Sequence, residues 1–460
     1  MQRLLQEAFK HDLCELPELD NLFCPEEAIR DAELLASEAF QSKRTWLLTN
    51  GSTSGVLASI LGCVQHHQSS RCIGRSSSSA GSVVVLPRDA HKSAINALVL
   101  TGSRPVFLPT LGLHACADLQ SLKGVLQEHE GSVAAVLLVS PSYEGGVLDI
   151  AAASEVCHAE GIPLIVDEAH GSHLQWLQGS WPDCPEGALA LGADLVVQST
   201  HKTLASLTQS ALLHQGISQK DGDLIGSADA SALGRCVTAA LGILQSSSPS
   251  YLLMAGLDAA RWQLAAGDGV LRLVEAAEAC RAASCRLKDI PGVLVNDEVA
   301  VSATGRWDPL KLTVSLLEKG YDGYELDDLL TERFGVYSEL PTPRAVTFAF
   351  GIGSRMQHTD TLVQAIKELA LEPYTGSDSV STGSSSSSPA ADMMKPLPPP
   401  GQFLLSPRSS FFAPSTAVPA AEAVGMPSAE TVCPYPPGKC ACAGARAGSY
   451  SRSSEVAFTG

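Results

Sequence analysis

The chain has 460 residues, 45% of them hydrophobic but only 5% aromatic, with 31 lysines and arginines against 49 aspartates and glutamates, for a formal charge of −18. That length accommodates two or three domains with aliphatic cores. The charge argues against a nucleic-acid partner, which needs basic patches, and no uninterrupted apolar run approaches a membrane span.

The chain begins with helical pieces broken at Pro17 and Pro25, the second opening a helix to about Phe40 with Glu26 and Glu27 on its positive end. Thr45–Thr49 is a short strand. Asn50-Gly51-Ser52-Thr53-Ser54-Gly55 follows, then an apolar helix over Val56–Val64. Strand, Gly/hydroxyl turn and helix is the geometry of an anion site, because unpaired N–H groups and the helix dipole face the turn. Ser and Thr are also ordinary N-caps, and no Gly-Lys-Ser/Thr follows to make a nucleotide loop. Ser69–Ser82 lacks apolar periodicity and reads as an exposed, mobile insertion.

Val83–Leu86 is a strand whose exit, Pro87-Arg88-Asp89-Ala90-His91-Lys92-Ser93, opens a helix to about Leu100. His91 therefore sits at the ligand crevice of a parallel sheet, though taken alone a helix-cap or surface histidine is the better reading. Pro105–Leu108 and Ala134–Val139 are further strands, the latter ending in the ligand-facing loop Ser140–Tyr143; Asp118–Glu130 and Asp149–Glu160 are helices. Pro163–Val166 is a buried strand leading into Asp167-Glu168-Ala169-His170-Gly171-Ser172-His173. A D-E-A-H strand exit also occurs in helicases, but their chemistry requires the missing phosphate loop. A His170/His173 metal pair lacks the H-E-x-x-H helix, and a carboxylate capping the next turn stays open as a reading of Glu168.

Gly192–Thr203 is the stretch around which the rest is organised: a β-branched run, Leu195-Val196-Val197, then Gln198-Ser199-Thr200-His201-Lys202. Most lysines in such a place snorkel to water. A desolvated one is a neutral nucleophile suited to a Schiff base with an aldehyde. Ser210–His214 is the next strand. After Gln245-Ser246-Ser247-Ser248-Pro249-Ser250-Tyr251 come helices over Leu252–Gly267 and Val270–Leu287. A smaller α+β domain follows, with strands at Leu310–Ser315 and Ala345–Phe350 and helices at Tyr324–Phe334 and Thr359–Leu369.

This pattern divides the chain into a helical N-terminal segment (1–44), a large α/β domain around a mostly parallel sheet (45–290), a small α+β domain (291–373), a disordered Ser/Pro-rich linker (374–401), the remainder of the C-terminal domain (402–438) and a disordered tail (439–460). The 13 cysteines are scattered without a C-x-x-C pair, as in a reducing compartment. Cys433, Cys440 and Cys442 lack a fourth ligand, so no metal is expected. Met1–Leu13 has no apolar targeting core, which places the protein in the cytoplasm, or in a plastid if a transit peptide precedes this start.

Four strand exits thus carry a hydroxyl turn (Ser52, Thr53, Ser54), a histidine (His91), a carboxylate (Asp167) and a lysine (Lys202), and in a parallel sheet such exits share one edge. This is the inventory that pyridoxal phosphate demands: donors for its phosphate, a flat cover for its ring, an acid for its pyridine nitrogen and an amine for its aldehyde. The motifs Thr49–Gly55, Arg88–Ser93, Val166–Ser172, Val197–Thr203 with Leu207-Thr208-Gln209, and Ser246–Arg261 closely resemble the Orn/Lys/Arg decarboxylase family of fold-type-I pyridoxal-phosphate enzymes, from about Asp12 to Gly438. The compact members without a wing domain are most similar.

The resemblance implies that Lys202 holds the cofactor, His91 stacks on its ring, Asp167 pairs with the ring nitrogen and His170 lies near the ring hydroxyl. It assigns the phosphate to Ser52, Thr53, Ser199 and His201, and has Ser246–Ser248 reach a neighbouring subunit, so that a homodimer or higher homo-oligomer is expected. The implied reaction is α-decarboxylation of a basic amino acid, arginine before lysine or ornithine, in the polyamine pathway. Two departures stand out: the family's His/Gly-rich P-G-H segment lies before this start, and Lys439-Cys440-Ala441-Cys442 replaces the acidic continuation after Gly438. They keep open a cofactor-binding but inactive assembly partner; another fold-type-I reaction, such as transamination, fits the motifs less well.

Overall fold

The structure is a computed structural model, and it describes residues 8, 10–13, 16, 19–73, 81–111, 116–217, 231–296, 306–374, 405–419, 422, 426–429 and 456–459. Seven strands form the main sheet: β1 (Arg44–Leu48), β2 (Val83–Pro87), β3 (Arg104–Leu108), β4 (Val133–Val139), β5 (Leu164–Asp167), β6 (Leu195–Gln198) and β7 (Ala211–Gln215). Their order is β1-β7-β6-β5-β4-β2-β3. β7 runs antiparallel to both neighbours and the rest are parallel, which confirms the α/β class. The in-register rows Val139, Asp167 and Val197 line up the exits of β4, β5 and β6.

Period-2 alternation decides which layer each strand residue joins. Val84, Leu86, Leu137 and Leu213 pack under helices α1 (Gly51–Ile73), α2 (Lys92–Thr101) and α3 (Ala232–Leu244) through Val56, Ile60, Leu98 and Val237. Val83, Val85, Leu138 and Val166 face the opposite layer, including α4 (Leu122–Glu128) and α5 (Ile150–Ala159). Strands buried on both faces read as continuous apolar runs for this reason.

A second, four-stranded antiparallel sheet is ordered β8 (Leu294–Val295), β9 (Lys311–Ser315), β11 (Val346–Ala349), β10 (Leu340–Pro341). Leu312, Val314, Val346 and Phe348 pack against α8 (Gly269–Lys288) and α10 (Met356–Leu371), numbering α6 as Thr200–Thr203, α7 as Tyr251–Ala265 and α9 as Gly323–Phe334. The sheet is tied to the organising turn by Ile352 N donating to Thr203 O (3.1 Å).

Several expectations need correction. Residues 69–73, read as the start of an insertion, continue α1, whose buried face (Val56, Ile60, Val64) carries the helix past the point where apolar periodicity fades; 74–80 lie outside the described residues. The Ala232–Leu244 helix has no counterpart in the sequence reading. The tail expected to be unstructured contributes a strand, Val456–Thr459, paired with Ser415–Val418, as its β-branched and aromatic residues favour. The linker from 375, the cysteines at 433, 440 and 442 and the motif after Ala429 lie outside the described residues. No helix among the described residues is long and apolar enough to cross a membrane.

Candidate active site

The parallel exits converge on a cavity of about 240 Å³ lined by Ser52, Thr53, His91, Asp167, His170, Ser199, His201 and Lys202. The sequence reading named all of these. Ser54 is the exception: its hydroxyl donates back to Gly51 O (2.8 Å) and its side chain is buried away from the cavity. The helical phase places it one position round from Ser52 and Thr53.

At the β1 exit, Gly51 takes φ +76, a left-handed conformation that lets the chain turn sharply into α1. The first N–H groups of that helix have no intrahelical acceptor. Ser199 Oγ donates to Ser52 Oγ (2.8 Å), joining the β1 and β6 exits into one hydroxyl-lined corner. His201 holds its ring through Nδ1, 2.9 Å from Ser210 O. Such a corner of backbone donors and hydroxyls fits a phosphate.

His91 caps α2, its Nδ1 accepting from Ser93 N (3.2 Å). Burial, with help from Lys202 and Lys92, pushes its pKa down to about 4, so the ring is neutral at pH 7. Across the cavity Asp167 is buried, its Oδ1 accepting from Ala169 N (3.2 Å). Burial raises its pKa while Lys202 pulls the other way, so a cation placed beside it would restore the carboxylate. Burial likewise lowers the Lys202 pKa, opposed by Asp167 and Glu339 and assisted by Lys311. A neutral flat ring, a buried acid and a desolvated amine around one cavity fit the chemistry of pyridoxal phosphate group by group.

Tyr143, Asp89 and Glu339 also line this cavity. Tyr143 lies in the loop after β4 that the sequence marks, its ring 4.3 Å from that of His170 and 5.6 Å from Lys202 Nζ. Glu339 and the nearby Lys311 come from the small sheet and carried no signal, because nothing local to 306–341 marks that side as facing the strand exits. Lys202 Nζ lies 2.8 Å from His170 Nε2, and Lys311 Nζ lies 3.0 Å from His170 Nδ1. Beneath them His173 Nε2 meets Asp308 Oδ1 at 2.7 Å, both side chains fully buried, which latches the β5 exit to the small sheet.

Glu168, adjacent to these groups in sequence, points across the sheet. It accepts from Gln198 Nε2 (2.6 Å) and Ala188 N (2.8 Å), so instead of capping the next turn it ties β6 and the segment before it to the β5 exit. Burial pushes its pKa up to about 7, against those two hydrogen bonds. The folded protein then keeps a proton that the unfolded chain gives up near pH 4.5, so this group's contribution to stability falls as pH rises from about 4.5 to 7. Glu168→Gln is expected to remove that loss. Thermal melts from pH 5 to 8 should show the variant gaining on the wild type across this window, and a constant gap would contradict the assignment.

Residues 4–358 match the family model described as Orn/Lys/Arg decarboxylase, major domain. An arginine decarboxylase of Bacillus subtilis is 29% identical over 442 residues, covering 94% of this chain and 81% of its own. One from Bacillus cereus is 28% identical over 436 residues, covering 93% and 85%. Among solved structures, lysine decarboxylase A from Pseudomonas aeruginosa superposes with a TM-score of 0.72 at 19% identity, over 97% of this chain and 69% of that one. The Francisella novicida lysine decarboxylase LdcF gives 0.66 at 16%, over 92% and 66%. An alanine–glyoxylate aminotransferase from Nostoc gives 0.56 at 17%, over 80% and 92%, so the fold extends beyond decarboxylases. With the family model spanning most of the chain and the cavity's groups suited to its cofactor, this protein belongs to the Orn/Lys/Arg decarboxylase family of pyridoxal-phosphate-dependent amino-acid decarboxylases.

Proposed function

We propose that this chain removes the α-carboxyl group of a basic amino acid, arginine in preference to lysine or ornithine, as a step toward polyamines. The observation that carries the reading is the pairing of Lys202, beside His170, with the carboxylate of Glu339 in the same cavity. The amine suits the cofactor and the carboxylate suits a cationic side chain. The formal charge of −18 adds long-range attraction for such a substrate, and the name of the Bacillus relatives supports arginine.

Bound pyridoxal phosphate supplies an electron sink for the pair left behind when carbon dioxide departs. Lys202 would hold it through its free amine. Asp167, as a buried carboxylate, keeps the ring nitrogen's proton in place. His91, neutral and fixed by Ser93, provides a flat cover. Ser52, Thr53, Ser199 and His201 hold the phosphate, and His170 positions Lys202 and the ring hydroxyl. The exposed Ser246–Ser248 loop stands beside Asn50, with Ser246 N donating to Asn50 Oδ1 (3.3 Å), and the family resemblance has it reach a second subunit's site in a homodimer. A cytoplasmic address accords with the scattered thiols, and bacterial relatives lend no support to a plastid.

Carbon dioxide release from carboxyl-labelled arginine, lysine and ornithine, with cofactor supplied, tests the proposal. Arginine is expected to be turned over fastest. Faster release from lysine would overturn the preference, and none from any of the three would sink the decarboxylase reading for this chain.

A further inference from the structure

His170 stands between two lysines. Its Nε2 is 2.8 Å from Lys202 Nζ and its Nδ1 is 3.0 Å from Lys311 Nζ. A neutral imidazole has one N–H and one lone pair, so it can accept from only one of these amines and must donate to the other. Which amine is the cation therefore decides the tautomer.

The surroundings of Lys311 answer this. Burial lowers its pKa, and four acidic groups oppose that: Glu339 from the approach to β10, Asp308 on the same segment, Glu144 from the loop after β4, and Cys280 from α8. Its position is held tightly. Asp308 N donates to Gly145 O (2.8 Å), and Gly145, at φ +101, leaves room for the Lys311 side chain where a Cβ would come within 2.7 Å of its own. Lys202 faces Asp167 and Glu339 but also the charge of Lys311 itself. More negative groups oppose burial at Lys311 than at Lys202, where a like charge also works against the ammonium, so Lys311 is the better placed of the two to keep its proton.

We propose that Lys311 is a positioning residue: as an ammonium it donates to His170 Nδ1, forces the ring's single N–H onto Nε2, and so holds Lys202 as the free amine that the cofactor's aldehyde requires. The small sheet thereby sets the protonation of a lysine on the large one through one histidine. This rests on Lys202 being the cofactor's lysine, and the test separates the two claims.

Cofactor-free protein is mixed with pyridoxal phosphate across a range of pH, and capture is followed by the visible band, with borohydride reduction and peptide mapping to locate the linkage. Lys311→Met is expected to raise the pH midpoint of capture by about one unit or more, since Lys202 loses both the N–H donor and the neighbouring charge. Lys311→Arg should bring it back toward the wild type. An unmoved midpoint in folded Lys311→Met overturns the proposal. Capture that persists in Lys202→Ala overturns the lysine assignment, and the proposal with it. The wild type supplies a second readout: in ¹⁵N-histidine spectra, with His170 identified by its loss in His170→Gln, the Nε2–H tautomer is required, and Nδ1–H would refute the role of Lys311 even if its variants fail to fold.

Discussion

Lys202→Ala is expected to lose the visible absorbance of bound cofactor and to cut turnover by about 10⁴-fold or more. Lys202 is the only lysine among the described residues lining the cavity. Its position is set by a four-residue turn, Thr200–Thr203, whose hydroxyls are tied down on both sides. Thr200 Oγ1 donates to Ser210 O (3.1 Å), and Thr203 Oγ1 lies 3.1 Å from Ser172 Oγ. Removal of the side chain leaves that turn and the hydroxyl corner intact, so the cofactor should still bind weakly through its phosphate. The measurement is absorbance and labelled carbon dioxide release side by side. A variant that kept the band and more than a hundredth of the rate would show that another amine serves.

Asp167→Asn is expected to lower kcat by about 10²- to 10³-fold while cofactor binding changes much less. The substitution keeps the size and the bond from Ala169 N but removes the charge. Asp167 lies at the end of β5 between the buried strands β4 and β6, where little water reaches it. A charge there stabilises an adjacent pyridinium far more than it would in water. Asp167→Glu retains the charge at the wrong reach and should recover part of the loss. A kcat within threefold of wild type in Asp167→Asn would remove Asp167 from the reaction.

The alternation of short apolar runs with helical stretches is a local property, because each strand is buried on both faces and each helix on one. That is why Val133–Val139 and Leu195–Gln198 are recognisable without neighbours. The strand exits are legible for the same reason: a run of Val and Leu that ends in Ser, Asp, His or Lys marks where the sheet stops and polar chemistry begins. Ser52, His91, Asp167 and Lys202 were found by that signal. Ser54, named with them, does not line the cavity, because a motif does not reveal the helical phase that turns its hydroxyl back to Gly51.

The sequence by itself thus determined the α/β class, the edge of the sheet where the cavity opens and most of the groups that line it, since all of these follow from residue order along single strands. Only the tertiary structure decided that Glu168 crosses the sheet to Gln198 while His170, two residues on, enters the cavity, and that Lys311 and Glu339 arrive from a separate sheet. Those facts depend on contacts between segments 30 to 141 residues apart, where the 2.8 Å and 3.0 Å approaches to one imidazole ring are fixed by packing and leave no periodic trace in the chain.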